Sequence, residues 1–181
     1  GVLDAELSLY NSSFRAAETT FNMLTQVVGR AGRGDMPGRA IIQTVVPEHQ
    51  VIKLAAAQDY DGFYDLEVQL RQVQNDPPFG DLATITFTGE EETAVLRGAA
   101  KFRDSLIACL KDPAYKEEIC TVLGPAPCAV PKINYHFRYR LTLRCRMSRN
   151  LRALIAHLLR QFSQDKLNRK VSAFADVNGL D

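Results

Sequence analysis

The run "FRYRLTLRCR", residues 137–146, alternates without a break between two sets of side chains. Successive side chains of a β-strand point to opposite faces, so this segment reads as a strand with one buried side and one charged side. Phe137, Tyr139, Leu141, Leu143 and Cys145 form the set expected to meet helices. Arg138, Arg140, Thr142, Arg144 and Arg146 form the other, a row of like charges on an open sheet face. A polyanion, or carboxylates from another domain, would relieve their repulsion. Three readings of that face stand: nucleic-acid backbone contact, an intramolecular interface with acidic surfaces, and a plain solvated face. Only Tyr135 and His136 lie near enough in sequence to offer base stacking, which weakens that part of a single-strand reading.

The segments around this strand supply its sheet. "LATITFTG" reads as a strand, "EEETAVLRGAAKFRDSLIACLKD" as a helix, and "ICTVLGPAPCAV" as a strand with a Pro/Gly interruption. After the arginine strand come the helix "SRNLRALIAHLLRQFSQDKL" and the strand "KVSAFADV". The order is β-α-β-β-α-β, the split βαβ of ferredoxin-like domains, with two helices on one face of a four-stranded antiparallel sheet. Leu151, Leu154, Ile155, Leu158 and Leu159 form the second helix's core stripe, and Arg149, Arg152 and Arg160 its solvated side.

Upstream, "NDPPFG" stops a helix, because Pro77 and Pro78 cannot continue one. The main boundary is set there, giving domains 1–76 and 77–181 and an overall class of α/β joined to α+β. In the first domain "GVLDAELSL" and "RAIIQTVVP" read as strands. A helix is expected from near Phe14, capped by Ser12 or Ser13, with Phe14, Ala17, Phe21, Leu24 and Val28 as its apolar stripe. Gly34 can end it. Pro47 can open a second helix to about Ala57, and Asp59 can cap a third that carries a Glu67–Arg71 pair.

Charge is divided along the chain. Residues 1–131 carry 11 Lys/Arg and 18 Asp/Glu, a balance of −7, whereas residues 132–181 carry 11 and 3, a balance of +8. The basic charge of the last fifty residues points to anionic partners. No run approaches the ~18 apolar residues of a membrane span, and no signal pattern is present. The chain opens at Gly1 in an apolar stretch and reads like a piece of something longer. Cys109, Cys120, Cys128 and Cys145 lack short paired spacing, which argues against zinc; buried small hydrophobes are the better reading, with disulfides disfavoured in a reduced compartment. His49, His136 and His157 are scattered, and no nucleophilic constellation is evident.

"TQVVGRAGRG", residues 25–34, places two arginines among glycines at a helix end. The glycines lack G-x-G-x-x-G spacing and close a helix instead of opening one, so they cannot cradle a phosphate alone. Gln26, Arg30 and Arg33, at i, i+4 and i+7, point away from the apolar stripe. The pattern Gln26-x-x-Gly29-Arg30-x-Gly32-Arg33 resembles motif VI of superfamily 2 helicases, which sits on the second RecA-like lobe. The physical role implied is an arginine finger on the transferring phosphoryl group.

"FRAAETTFNMLTQVVGRAGRG", "PGRAIIQT", "AQDYDGFY", "PPFG", "LGPAP" and "FRYRL", in that order, resemble the C-terminal part of the bacterial primosomal replication-restart helicase family, PriA or primosomal protein N′. The resemblance covers nearly the whole chain. It implies that residues 1–76 finish helicase lobe 2 and that 77–181 form the C-terminal domain. It also implies 3′-to-5′ unwinding, with Arg30 and Arg33 stabilising the transition state and Gln26, Gly29 and Gly32 completing the ATP contact. ATP and Mg2+ would serve the full-length protein, with zinc bound only upstream. Implied partners are forked and single-stranded DNA, single-stranded DNA-binding protein and other primosome proteins, in the bacterial cytoplasm. Alone, the chain is expected to hydrolyse no ATP. Arg138, Arg140, Arg144 and Arg146 are the expected DNA contacts. The chain departs from the family pattern at Glu6, at Asn75-Asp76 and at Asn178-Gly179. The competing reading is a non-catalytic nucleic-acid- or protein-binding module.

Overall fold

A computed structural model describes residues 1–10, 13–31 and 39–178. The chain divides into two compact units, Gly1–Gln74 and Asn75–Asp181.

Among the described residues of the first unit, a 3-10 turn at Leu7–Tyr10 precedes three α-helices: α1 (Ala16–Ala31), α2 (Gln50–Ala57) and α3 (Tyr60–Gln74). Ser13 Oγ accepts from the Arg15 amide at 3.2 Å, just ahead of α1; Ser12 lies outside the described residues. Phe21 and Leu24 of α1 are buried, and Phe21 stacks on Phe63 of α3 with centroids 4.1 Å apart. Arg71 ties α3 to α1, contacting Glu67 at 2.9 Å and Glu18 at 3.1 Å. Asp59 caps α3 as expected, its Oδ1 accepting from the Gly62 amide at 2.9 Å. Helix α2 starts three residues beyond Pro47. His49 supplies the acceptor there, its Nδ1 taking the Val51 amide at 3.3 Å, so the helix nucleates at the cap and not at the proline.

The two strands expected in this unit reduce, among the described residues, to one parallel bridge between Val2 and Ile42. The Val2 amide donates to Ile41 O and the Gln43 amide to Val2 O, both at 2.9 Å. Parallel strands are stable when covered on both faces. Here Val2 and Ile42 pack against the unit's core, but Leu3, Leu7, Ile41 and Val45 are all exposed, so the pair is covered on one side only.

The second unit follows the β-α-β-β-α-β order: β1 (Asp81–Gly89), α4 (Glu92–Leu110), β2 (Cys120–Ile133), β3 (His136–Cys145), α5 (Arg149–Gln164) and β4 (Val171–Val177). The sheet runs β2-β3-β1-β4 with every pairing antiparallel. Both helices pack on one face. Ile85 and Phe87 of β1 and Leu141 and Leu143 of β3 are fully buried against Val95, Phe102 and Leu106 of α4 and Leu151 and Phe162 of α5. Phe87, Phe102 and Phe162 meet edge to face, with centroids 5.4–6.2 Å apart. Each such side chain contributes about 1.5–3 kcal/mol on burial. Mid-helix Gly98 has a packing reason: a Cβ there would stand 3.1 Å from the Phe162 ring. Ser148 caps α5 through the Leu151 amide at 2.9 Å.

Strand β2 forms one edge and is irregular. Its register against β3 shifts between Leu123 and Ala126 and again between Pro127 and Lys132. Gly124 has φ +99°, and a Cβ would sit 2.8 Å from Arg140 O, so only glycine fits that turn of the strand. Prolines at 125, 127 and 131 remove amide donors that an edge would otherwise present to another chain.

Candidate nucleic-acid interface

The period-two reading of β3 holds. Leu141, Leu143 and Cys145 face the helices and are fully buried, with Phe137 and Tyr139 half-buried. Tyr139 donates to Glu92 on α4 at 2.8 Å. Arg138, Arg140 and Arg144 are half-buried on the opposite face, and Arg146 is exposed.

The register fixes what lies beside each guanidinium. On β1, Arg138 neighbours Thr88, Arg140 neighbours Thr86 and Arg144 neighbours Leu82. One strand further, Ser172, Phe174 and Asp176 of β4 stand opposite Thr88, Thr86 and Thr84. Directly paired residues share a face, so Phe174 belongs to the arginine face, two strand spacings or about 10 Å from Arg140. It is 51% exposed. The aromatic that reading along the chain failed to find is therefore on β4, brought in by topology. Tyr135, at the β2–β3 turn with φ +65°, is 84% exposed.

Two features modify the simple picture of an open ladder. Cys128, Ala129 and Val130 bend over the sheet where β2 loses register, and with Thr84, Thr86, Arg138 and Arg140 they line a pocket of about 220 Å³. The face is thus partly roofed, because the excess residues of the irregular edge strand must go somewhere. Second, Asp76 is buried, and its Oδ1 lies 3.7 Å from Arg144 Nε. Part of the repulsion expected among the arginines is met by a carboxylate of the same unit.

In the first unit, Gln26, Gly29 and Arg30 lie on the exposed side of α1, away from buried Phe21 and Leu24. Gln58, left-handed at the end of α2, reaches the Thr25 carbonyl at 3.5 Å and runs beside Gly29. Gly32, Arg33, Gly34 and Gly38 lie outside the described residues. No group of His, Cys, Asp or Glu among the described residues is arranged to hold a metal ion. Among the described residues no helix is long and apolar enough to cross a membrane.

The family model of the primosomal protein N C-terminal domain matches residues 72–179. The chain belongs to this family. Relatives within the primosomal protein N family carry the name replication restart protein PriA. That of Bacillus subtilis is 35% identical over 179 residues, covering 98% of this chain and 21% of the relative. That of Chlamydia muridarum is 33% identical over 179 residues, covering 99% and 23%, and that of Synechocystis 36% over 144 residues, covering 80% and 17%. The chain spans about a fifth of the length of these curated relatives and is similar to the C-terminal part of PriA. The primosomal protein N match contains the whole arginine face. Gln26, Gly29 and Arg30 lie upstream of it, within the stretch shared with the Bacillus relative.

Proposed function

We propose that the chain is the C-terminal part of an ATP-dependent 3′-to-5′ DNA helicase of replication restart, and that its second unit holds DNA on the arginine face. The observation that carries the reading is the row Arg138, Arg140 and Arg144 on the face of a family-matched sheet opposite α4 and α5, with Phe174 exposed on the same face. Guanidiniums meet phosphate oxygens, and an aromatic at the neighbouring edge offers a base a stacking surface. Forked and single-stranded DNA are the proposed ligands. Single-stranded DNA-binding protein and other primosome proteins are the proposed partners, in the bacterial cytoplasm. The strand order β2-β3-β1-β4 supports a ferredoxin-like assignment.

The first unit is proposed to finish a RecA-like lobe. Its exposed apolar Leu3, Leu7, Ile41 and Val45 along the Val2–Ile42 parallel bridge fit a sheet that further strands and helices would cover. Exposed Arg30 and Gln26 fit one wall of a triphosphate site whose phosphate loop and Mg2+ ligands come from elsewhere in the protein. Arg30 and Arg33 supply transition-state charge in this proposal, with Gly29 and Gly32 allowing close approach. Zinc is assigned to upstream residues only.

The test is a titration against single-stranded and forked DNA at two salt concentrations. Arg138→Ala and Arg140→Ala should each weaken binding and lower the salt slope by about 1. Phe174→Ala should cost about 1–3 kcal/mol on single strands with the slope unchanged. If affinity and slope survive all three substitutions, the face does not bind DNA.

A further inference from the structure

The sequence offers the four cysteines as buried small hydrophobes; the sheet sets two of them against each other. Cys120 opens β2, Cys145 closes β3, and they are direct Cα partners. The Arg146 amide donates to Ile119 O at 3.2 Å. That bond joins the residue after Cys145 to the residue before Cys120, which makes Cys120–Cys145 a non-hydrogen-bonded antiparallel pair. In such pairs the Cα atoms approach to about 4.5 Å and the side chains lie closest. This falls inside the span of about 4.4–6.8 Å that a disulfide bridges. Cys145 is fully buried and Cys120 half-buried at its side. Interaction between the two thiols pushes the pKa of Cys120 down and that of Cys145 up.

We propose that Cys120 and Cys145 are a thiol pair that a low-molecular-weight disulfide, such as oxidised glutathione, converts into an intramolecular cross-strand disulfide. The half-exposed Cys120 thiolate attacks one sulfur of the reagent, breaking its S–S bond and releasing one thiol. Cys145 then loses its proton and attacks Cys120 Sγ, expelling the second thiol and forming the Cys120–Cys145 bond. Two protein thiols are oxidised and one reagent disulfide is reduced to two thiols, so atoms and electrons balance. The bond clamps the start of β2, an edge strand whose pairing is interrupted twice further along. It closes the loop that carries the roof of the arginine pocket.

The test is thiol mapping of the full-length folded protein after exposure to oxidised glutathione without denaturant. The expected product lacks two hydrogen atoms in mass and yields one cross-linked peptide joining Cys120 to Cys145, with Cys109 and Cys128 still alkylated as thiols. Cys145→Ser should halt at a mixed disulfide on Cys120, and Cys120→Ser should leave Cys145 unreacted. The wild-type map decides alone if a variant fails to fold. Cys120 and Cys145 remaining reduced, a stable mixed disulfide on wild-type Cys120, or a bond through Cys109 or Cys128 would each overturn the proposal.

Discussion

Asp76 and Arg144 place opposite demands on the same site. The carboxylate is 8% exposed at its side chain and the guanidinium 36%, so the pair is shielded on one side and wet on the other. At 3.7 Å between Nε and Oδ1 it is a loose contact, worth less than a buried bidentate pair. Yet the carboxylate places one negative charge beside a row meant, in the proposal above, for phosphate. Asp76→Asn should therefore move two properties in opposite directions. Stability should fall by about 1–2 kcal/mol, read as a lower urea midpoint at unchanged m. DNA affinity should rise about threefold to tenfold at low salt, with a steeper salt slope, because a competing anion is gone. Loss of affinity in this variant would mean that Asp76 positions Arg144 for its ligand.

At the scale of elements, another carboxylate holds the sheet's end together and makes that end sensitive to acid. Asp81, the first residue of β1, accepts from the Met147 amide and from Asn178 Nδ2, both at 2.8 Å. It thus joins β1 to the β3–α5 junction and to the residue after β4. These two hydrogen bonds, the Met147 amide foremost, hold its carboxyl below the usual Asp range despite partial burial. A depressed folded pKa contributes stability above the unfolded value of about 3.9 and loses it as pH falls through the lower folded value. Asp81→Asn should cost about 1 kcal/mol near neutral pH and progressively less in acid, as wild type loses the same term. Urea midpoints for both proteins across that range check this; a constant gap would assign the effect to packing. What sequence could and could not show divides along similar lines. Period-two alternation exposed β3 and a leucine-rich stripe exposed α5, because their burial is set by side chains within each element. The roof at Cys128–Val130, the cysteine pair and the place of Phe174 depend on register between strands, which no single segment encodes. The first unit's strands failed for a related reason: an apolar run makes a strand only where a sheet exists to receive it.

The whole molecule has two kinds of arginine, and they should fail in different ways when removed. Those of β3 lie in a unit with its own buried aromatic core and, among the described residues, a four-stranded sheet. Arg30 lies on a three-helix unit whose only β pairing among the described residues is one bridge. Under the proposed helicase reading, the first set serves a ligand that the unit can meet unaided, whereas Arg30 serves a nucleotide that it cannot hold. The 181-residue chain should then bind DNA yet show no magnesium-dependent ATP turnover. In the full-length protein, Arg30→Ala should lower the DNA-stimulated ATPase kcat about a thousandfold, as removal of an arginine finger does. Affinity for single-stranded DNA without nucleotide should stay within about twofold, since an exposed α1 side chain lies outside the β3 row. Steady-state ATPase and equilibrium DNA binding on the same preparation separate the two effects. An Arg30→Ala protein with normal kcat would remove the phosphoryl-transfer role from α1. Turnover by the isolated chain, reproducible and lost with Arg30→Ala, would instead place a nucleotide site within these residues.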